Sequence, residues 1–265
     1  MRRSSNKTHR WALHNPKSIL ITGASSGIGH ALARRYAAPS VTLALGGRNR
    51  DRLESTAHLC RRAGAEVSTA IVDVTDAGAM ETWLAAADAA APLDLVIANA
   101  GISEGTGRSG ESPEQARRIF RTNIDGVVNT VQPAITWMQP RRRGHIAIVS
   151  SLAAYRGFPG APAYCASKAA VRTYGEGLRG ALHGDNIGVT VICPGFIETP
   201  MTAANPYPMP MMMTAARAAE RIHRAISRDK ASVAFPWPLH GVVWLLGALP
   251  AAWTDPLFRR LPEKE

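Results

Sequence analysis

Short runs of consecutive apolar residues recur along the chain. Longer stretches with apolar residues at helical spacing separate them. The runs fall at 18–22, 41–45, 66–72, 93–98, 145–150, 189–192 and 232–235. Most are continuous rather than alternating, as expected for strands buried on both faces of a parallel sheet. The intervening stretches 27–38, 50–63, 76–91, 113–138, 163–184 and 214–228 predict helices. Strands that alternate with helices imply βαβ units with right-handed crossovers. The pattern therefore predicts an α/β domain, a doubly wound parallel sheet of about seven strands with helices on both faces. In such a sheet ligands sit at the carboxyl ends of the strands, so the loops after the apolar runs are the place to look for chemistry.

Composition narrows this little. The 265 residues are 46% hydrophobic and 19% charged, which suits a globular core and excludes global disorder. Three cysteines without a CxxC pair make neither a disulfide framework nor a zinc site, and no metal site is expected. A reducing, cytoplasmic setting follows. Lys and Arg exceed Asp and Glu to give a net charge of +11. Such a surplus attracts polyanions: a phosphate-bearing cofactor, an anionic membrane surface or nucleic acid. No helix-turn-helix, RNA-binding or zinc pattern accompanies it, so a specific nucleic-acid partner is not expected.

Chemistry begins after the first run, at Thr22-Gly23-Ala24-Ser25-Ser26-Gly27-Ile28-Gly29, which opens a helix. Gly23 permits a tight turn, Gly27 clears the approach of a phosphate to backbone N–H groups, and Gly29 lets helix and strand pack closely. The helix N-terminus then favours negative charge. The motif lies between a strand and a helix at the head of a βαβ series, the context that marks a dinucleotide-binding Rossmann fold. The second run ends Leu45-Gly46-Gly47-Arg48-Asn49-Arg50, with no acid before Asp51. A site built for NAD places an acid there for the ribose hydroxyls, whereas Arg48 offers a fork of donors to a 2′-phosphate. NADP(H) is the expected cofactor, with NAD(H) as the alternative. Asp73, followed by Val74, ends the third run and can accept from an adenine amino group.

Tyr164 and Lys168 stand four residues apart, on one face of a helix. An ammonium near a phenol stabilises the phenolate, and the pair becomes a general acid/base. Ser151 ends the fifth run, where its hydroxyl can donate to a substrate carbonyl. Asn123 lies within the long helix predicted over 113–138, where its amide can hold a water that connects Lys168 to solvent.

Together these residues resemble the short-chain dehydrogenase/reductase superfamily, in its compact single-domain branch. The match covers roughly residues 17–230, with Thr22-Gly23, Gly27-Ile28-Gly29, Asp73, Asn99-Ala100-Gly101, Asn123, Ser151, Tyr164, Lys168 and Pro194-Gly195 in the family's order and spacing. The resemblance implies that Tyr164 is the proton donor or acceptor. It implies that Lys168 lowers the phenol pKa and holds the nicotinamide ribose, that Ser151 polarises the substrate and that Asn123 relays protons. Asn99 and Gly101 would line the cofactor cleft, and Pro194, Gly195, Ile197 and Thr199 would meet its nicotinamide end. Ser25, Ser26, Ile28 and Val74 complete the expected cofactor contacts. Ser26 occupies a place where some NADP users carry a basic residue, so the cofactor preference rests on Arg48. The family implies a homodimer or homotetramer built through the helices near 113–138 and 163–184.

The resemblance also implies hydride transfer between nicotinamide and a carbonyl or secondary alcohol. The segment 200–213 carries four prolines and five methionines and is expected to cover the substrate as a lid. Leu152, Tyr155, Phe158 and Pro159 are expected to line the cleft. Glu104 and Arg108, in the glycine-rich loop 103–110, can reach a polar substrate end. The leading expectation is NADPH-dependent reduction of an apolar ketone or aldehyde. The alternatives are an NAD-dependent alcohol dehydrogenase and a non-catalytic NADP-binding sensor or scaffold, which intact Tyr164, Lys168 and Ser151 disfavour.

Two segments lie outside this frame. Residues 1–16 read as a basic arm without the apolar stretch of a secretory signal. From Ala231 to Thr254 no side chain carries a formal charge, while prolines break the stretch and three tryptophans decorate it. Before it, Arg217, Arg221, Arg224 and Arg228 recur along one helix face. The segment 231–265 is read as an apolar tail, either a peripheral membrane contact or a surface packed on the domain or a second subunit.

Overall fold

The structure, a computed structural model, describes residues 15–104, 110–203 and 209–258. The apolar runs become β1 (Ser18–Thr22), β2 (Thr42–Gly47), β3 (Glu66–Ile71), β4 (Leu95–Ala98), β5 (Gly144–Val149), β6 (Ile187–Pro194) and β7 (Ser232–Phe235). They form one sheet in the order β3-β2-β1-β4-β5-β6-β7, with every pair parallel. β1, β4, β5 and β6 are buried at every position, which is why they read as unbroken apolar runs. β3 lies at the edge and is only partly covered. The order reverses between β1 and β4, and that switch point opens the crevice at the carboxyl ends of the strands.

Helices cover both faces, and the short helix α7 (Pro200–Ala203) follows β6. α1 (Gly27–Tyr36), α2 (Arg50–Arg62) and α8 (Ala215–Ser227) set Leu32, Leu53 and Ile222 against Ile19, Ile21 and Leu43. On the other face α3 (Ala77–Ala90), α5 (Gly126–Arg141) and α6 (Pro162–Ala181) set Leu84, Met138 and Val171 against Leu20, Val96 and Ile146. Full burial of each such side chain stabilises by about 1.5–3 kcal/mol, an upper bound because the unfolded chain is itself partly collapsed. Asn49, Asp76 and Thr214 cap α2, α3 and α8, each accepting from a backbone N–H three residues on.

The single helix expected over 113–138 is divided. α4 (Pro113–Phe120) passes through a π-helical turn, Arg121–Asp125, into α5, which continues to Arg141. The wider turn inserts an extra residue and rotates Asn123 into a fully buried position. The strand expected to begin at 93 begins at Leu95. Asp94 is buried ahead of it, where its carboxylate accepts from the Lys17 N–H at 2.7 Å and meets Arg143 at 2.7 Å.

Residues 232–248, set apart from the catalytic domain in the sequence reading, pack on it. β7 is the seventh strand, and α9 (Trp237–Ala248) lays Val243 and Leu239 on Leu152, Val191 and Cys193. α10 (Ala251–Phe258) follows, pinned where Arg156 donates to the Thr254 hydroxyl at 2.7 Å and meets Asp255 at 3.3 Å. Among the described residues no helix is long and apolar enough to cross a membrane. The expected basic arm lies outside the described residues, apart from 15 and 16.

At the opposite end of the sheet from the crevice, His145 is fully buried. The Thr190 hydroxyl gives its hydrogen to the Lys230 carbonyl at 2.7 Å, so it accepts from His145 Nε2 at 2.9 Å. His145 Nδ1 is then the bare nitrogen, 4.0 Å from Asp229, whose carboxylate is gripped by Arg179 at 2.8 and 2.9 Å. Burial pushes the imidazole down to about 4, with Arg179 adding to the shift and Asp229 opposing it. On acidification the unfolded chain protonates this histidine first. The contribution is therefore complete above the ordinary histidine value and lost as pH falls toward about 4. Urea unfolding over that range should show stability falling by on the order of 3 kcal/mol from this group. His145→Gln should flatten that slope; equal slopes in both proteins would contradict the assignment.

Candidate active site

The crevice is organised by the turn between β1 and α1. Gly23 and Gly27 take φ of +67° and +55°, a region that side chains with a Cβ rarely adopt. A Cβ on Gly29 would lie 2.3 Å from the Gly23 carbonyl oxygen, so only glycine lets α1 begin this close to β1. The end of β4 locks the turn. Asn99 Nδ2 donates to the Thr22 carbonyl at 2.9 Å and the Gly23 carbonyl at 3.3 Å. The Asn99 and Ala100 N–H groups both donate to Thr22 Oγ1, at 3.0 and 3.1 Å. Ser26 is the N-cap residue of α1, yet its side chain makes no capping bond, and the turn and helix end face the cavity. This cradle fits the pyrophosphate of a dinucleotide.

Arg48 follows β2 and stands at the cavity wall with Asn49 and Arg52. Arg48 Nη1 lies 3.7 Å from Asp73 Oδ2, a loose pair of exposed groups. Asp73 Oδ1 instead accepts from the Thr75 N–H and hydroxyl, both at 2.9 Å, while Asp76 caps α3. Arg52 was not singled out from the sequence. Its place in the first turn of α2, four residues after Arg48, is the spacing that could have found it.

α6 starts with Pro162 in its first turn and presents Tyr164 and Lys168 to the cavity. Lys168 is buried, with Nζ donating to the Val149 carbonyl at 3.0 Å and lying 5.8 Å from the Tyr164 ring centroid. Burial pushes its ammonium down to about 8. Ser151 caps the short 3₁₀ turn Leu152–Ala154, accepting from the Ala153 N–H at 3.1 Å while its hydroxyl reaches the Pro194 carbonyl at 3.4 Å. Asn123 is held on every side. Its Oδ1 accepts from the Ile102 N–H at 2.8 Å, and its amide donates to the Ile102 carbonyl at 2.9 Å and Ser167 Oγ at 3.0 Å. A Cβ on Gly101 would sit 3.1 Å from Asn123 Oδ1 and 3.2 Å from Lys168 Nζ.

These elements enclose a cavity of about 920 Å³. Of the residues expected from the sequence, Gly23, Ser25, Ser26, Gly27, Ile28, Arg48, Asp73, Val74, Asn99, Gly101, Ser151, Tyr164, Lys168, Pro194, Gly195, Ile197 and Thr199 line it. Gly29 and Asn123 do not; both support from behind. The far end is apolar, walled by Leu152, Phe158, Pro159, Met201 and Pro210. Tyr155, expected in that wall, is turned under α9, where its ring packs on His240 at 5.0 Å. The methionines divide: Met201 faces the cavity, Met213 is core, and Met211 and Met212 are exposed. Glu104 pairs with Arg118 of α4. Arg108 and residues 204–208 of the expected lid lie outside the described residues. Sequence reasoning missed Leu239, Val242, Val243 and Leu246 of α9, which close the apolar end. Their i, i+3, i+4, i+7 spacing was legible, but not the surface they face.

A nucleotide cradle, a buried lysine under a tyrosine and an apolar end define an oxidoreductase of the Rossmann type. Residues 17–208 match the short chain dehydrogenase family. The chain is 39% identical to an uncharacterized oxidoreductase of Myxococcus xanthus strain DK1622, over 92% of this chain and 97% of that one. It is 37% identical to an uncharacterized oxidoreductase of Mycobacterium tuberculosis, over 87% and 94%. Its fold is similar to that of a short chain dehydrogenase/reductase from Burkholderia phymatum in complex with NAD, with a TM-score of 0.81, 24% identity and coverage of 95% and 98%. The chain belongs to the short-chain dehydrogenase family: it is an oxidoreductase that acts on CH–OH/C=O groups with a nicotinamide cofactor.

Gly29→Ala should force the Gly23 carbonyl and the Asn99 amide apart. An overpacked site of this kind loses about 1–3 kcal/mol. Thermal melts should fall accordingly, and nicotinamide fluorescence titration should show weakened cofactor binding. Unchanged binding would mean that the turn is not the cofactor cradle.

Proposed function

We propose that the protein is an NADPH-dependent reductase of an apolar ketone or aldehyde. The observation that carries this reading is the pairing of buried Lys168 with Tyr164 in a cavity that also takes Arg48, Arg52 and an apolar wall into its lining. The nicotinamide cofactor supplies the hydride when bound. Ser151 donates a hydrogen bond to the substrate oxygen, and Tyr164 gives that oxygen its proton. The Lys168 ammonium, fixed on the Val149 carbonyl, stabilises the negative charge that develops on the phenol oxygen. Asn123, locked to Ile102 and Ser167, positions the π-helical turn behind Lys168. Its Oδ1 keeps a lone pair for a water that returns the proton.

Arg48 and Arg52 support NADP(H) over NAD(H): the turn after β2 offers cations and no carboxylate before Asp51. Buried thiols at Cys60, Cys165 and Cys193 suit a reducing, cytoplasmic setting. Exposed Phe120 and Val128 on α4 and α5 support a homodimer built through those helices and α6.

Tyr164→Phe should lower kcat by roughly 10²–10⁴-fold with NADPH affinity unchanged. The Lys168 ammonium is present below about 8 and lost above it, so kcat/KM for ketone reduction should fall as pH rises through that value. Full turnover by Tyr164→Phe would overturn the catalytic assignment. Arg48→Ala should weaken NADPH by about tenfold or more, 1.4 kcal/mol, and leave NADH unchanged. Equal losses for both cofactors would return the search to NAD-dependent alcohol oxidation.

A further inference from the structure

Ser151 is placed by a turn rather than by its own side-chain bonds. Lys168 Nζ sits on the Val149 carbonyl at 3.0 Å, and Asn123 is held by bonds of 2.8, 2.9 and 3.0 Å. The Ser151 hydroxyl reaches the Pro194 carbonyl at 3.4 Å, longer than an ordinary O–H···O bond. Its position follows instead from the 3₁₀ turn that it caps. The Ser151 carbonyl accepts from the Ala154 N–H at 3.1 Å, and the Leu152 carbonyl accepts from the Tyr155 N–H at 3.2 Å. Bonds of this tight turn have poor geometry, so the turn needs an anchor. Tyr155 closes it, and two other elements grip the tyrosine. From α6, four residues beyond Lys168, the Arg172 guanidinium lies over the ring at 4.8 Å from its centroid. From α9, the His240 ring meets it at 5.0 Å and an interplanar angle of 62°. Gly247 of the same helix presses on the Tyr155 carbonyl, where a Cβ would lie 2.1 Å away. Arg172 Nε and His240 Nε2 are buried and find no hydrogen-bond partner among the described residues, so the ring is what both side chains meet there.

We propose that Tyr155 is a positioning residue: its ring, clamped between Arg172 and His240, fixes the turn that aims the Ser151 hydroxyl at the substrate oxygen. Tyr155 does not line the cavity, so it acts through Ser151 and not on the substrate. A cation over an aromatic face and an aromatic pair each favour one placement of the ring. The ring therefore carries the position of α6 and of α9 to the turn. Placement matters here because a misplacement of about 1 Å can cost about a hundredfold in rate. α9 then has two tasks: its inner side chains wall the apolar end, and His240 and Gly247 hold the turn beside it. The task given to Ser151 rests on the reductase reading; the clamp on the turn does not.

The test is a double-mutant cycle in the full chain, with NADPH and cyclohexanone as a small apolar probe. Tyr155→Leu removes the ring and keeps an apolar side chain. It should lower kcat about tenfold or more, while NADPH affinity, read by nicotinamide fluorescence, stays unchanged. Tyr155→Phe keeps the ring and should restore most of that loss. In a Ser151→Ala background Tyr155→Leu should cost nothing further, because the hydroxyl that it aims is gone. The same tenfold loss in that background would mean that Tyr155 acts on general stability or on another group, and would overturn the proposal. Full kcat in Tyr155→Leu would overturn it as well. A crystal structure of Tyr155→Leu gives a readout without substrate: Ser151 Oγ should leave its place beside the Pro194 carbonyl, and an unmoved Ser151 would sink the clamp. Absence of turnover by the unaltered protein would count against the reductase reading alone, and that crystal structure would still decide the clamp.

Discussion

The crevice depends on one set of hydrogen bonds at the point where the strand order reverses. β1 and β4 are neighbours whose chains leave in opposite directions, so their last backbone groups lose sheet partners. Asn99 and Thr22 supply them: one amide bonds two carbonyls, and one hydroxyl accepts two N–H groups. Each bond contributes about 1 kcal/mol net, but a buried group left bare would cost about 1–3 kcal/mol. The lock also fixes where α1 begins. The missing Cβ of Gly29 is its complement, because any side chain there would press on the same carbonyl and amide. The cradle is thus a consequence of closing the sheet at its switch point.

A second constraint is the burial of Lys168. The protein holds this ammonium away from water on the Val149 carbonyl at the end of β5. Burial at that cost lowers its proton affinity and keeps its field unscreened beside Tyr164. Ser167, one residue earlier on α6, accepts from Asn123 and donates to the Tyr164 carbonyl. The π-helical turn and α6 are thereby tied together, so the tyrosine, the lysine and the floor beneath them form one rigid unit. Rigidity of this kind lets a modest electrostatic effect act on a proton at a defined place.

The half of the cavity that holds the glycine turn is made by loops that follow strands of one sheet, whereas its apolar half is made by the chain's return. After β6, Met201 and Pro210 line the cleft, and β7 then carries α9 back across the apolar end. Gly247 packs so close to the Tyr155 carbonyl that a Cβ would lie 2.1 Å from it, and Gly195 is likewise pressed by Pro236 and Leu239. These contacts hold α9 as a fixed wall. They also show how the apolar tail, for which packing on the domain was one of the expected places, is joined to the site.

The sequence by itself determined the alternation of strands and helices, the glycine turn, the Tyr164–Lys168 spacing and the absence of an acid after β2. These depend on local periodicity, on backbone conformations open only to glycine, and on neighbours four residues apart on a helix. Tertiary structure decided what no local pattern records. It turned Tyr155 away from the cleft and Asn123 behind it, through a π-helical turn that has no periodic signature. It set the inner face of α9 against the cavity. α9 is apolar on every side, so its sequence names no buried face; the edge strand β7, which fixes where the helix starts and how it leans on Leu152 and Cys193, made that choice.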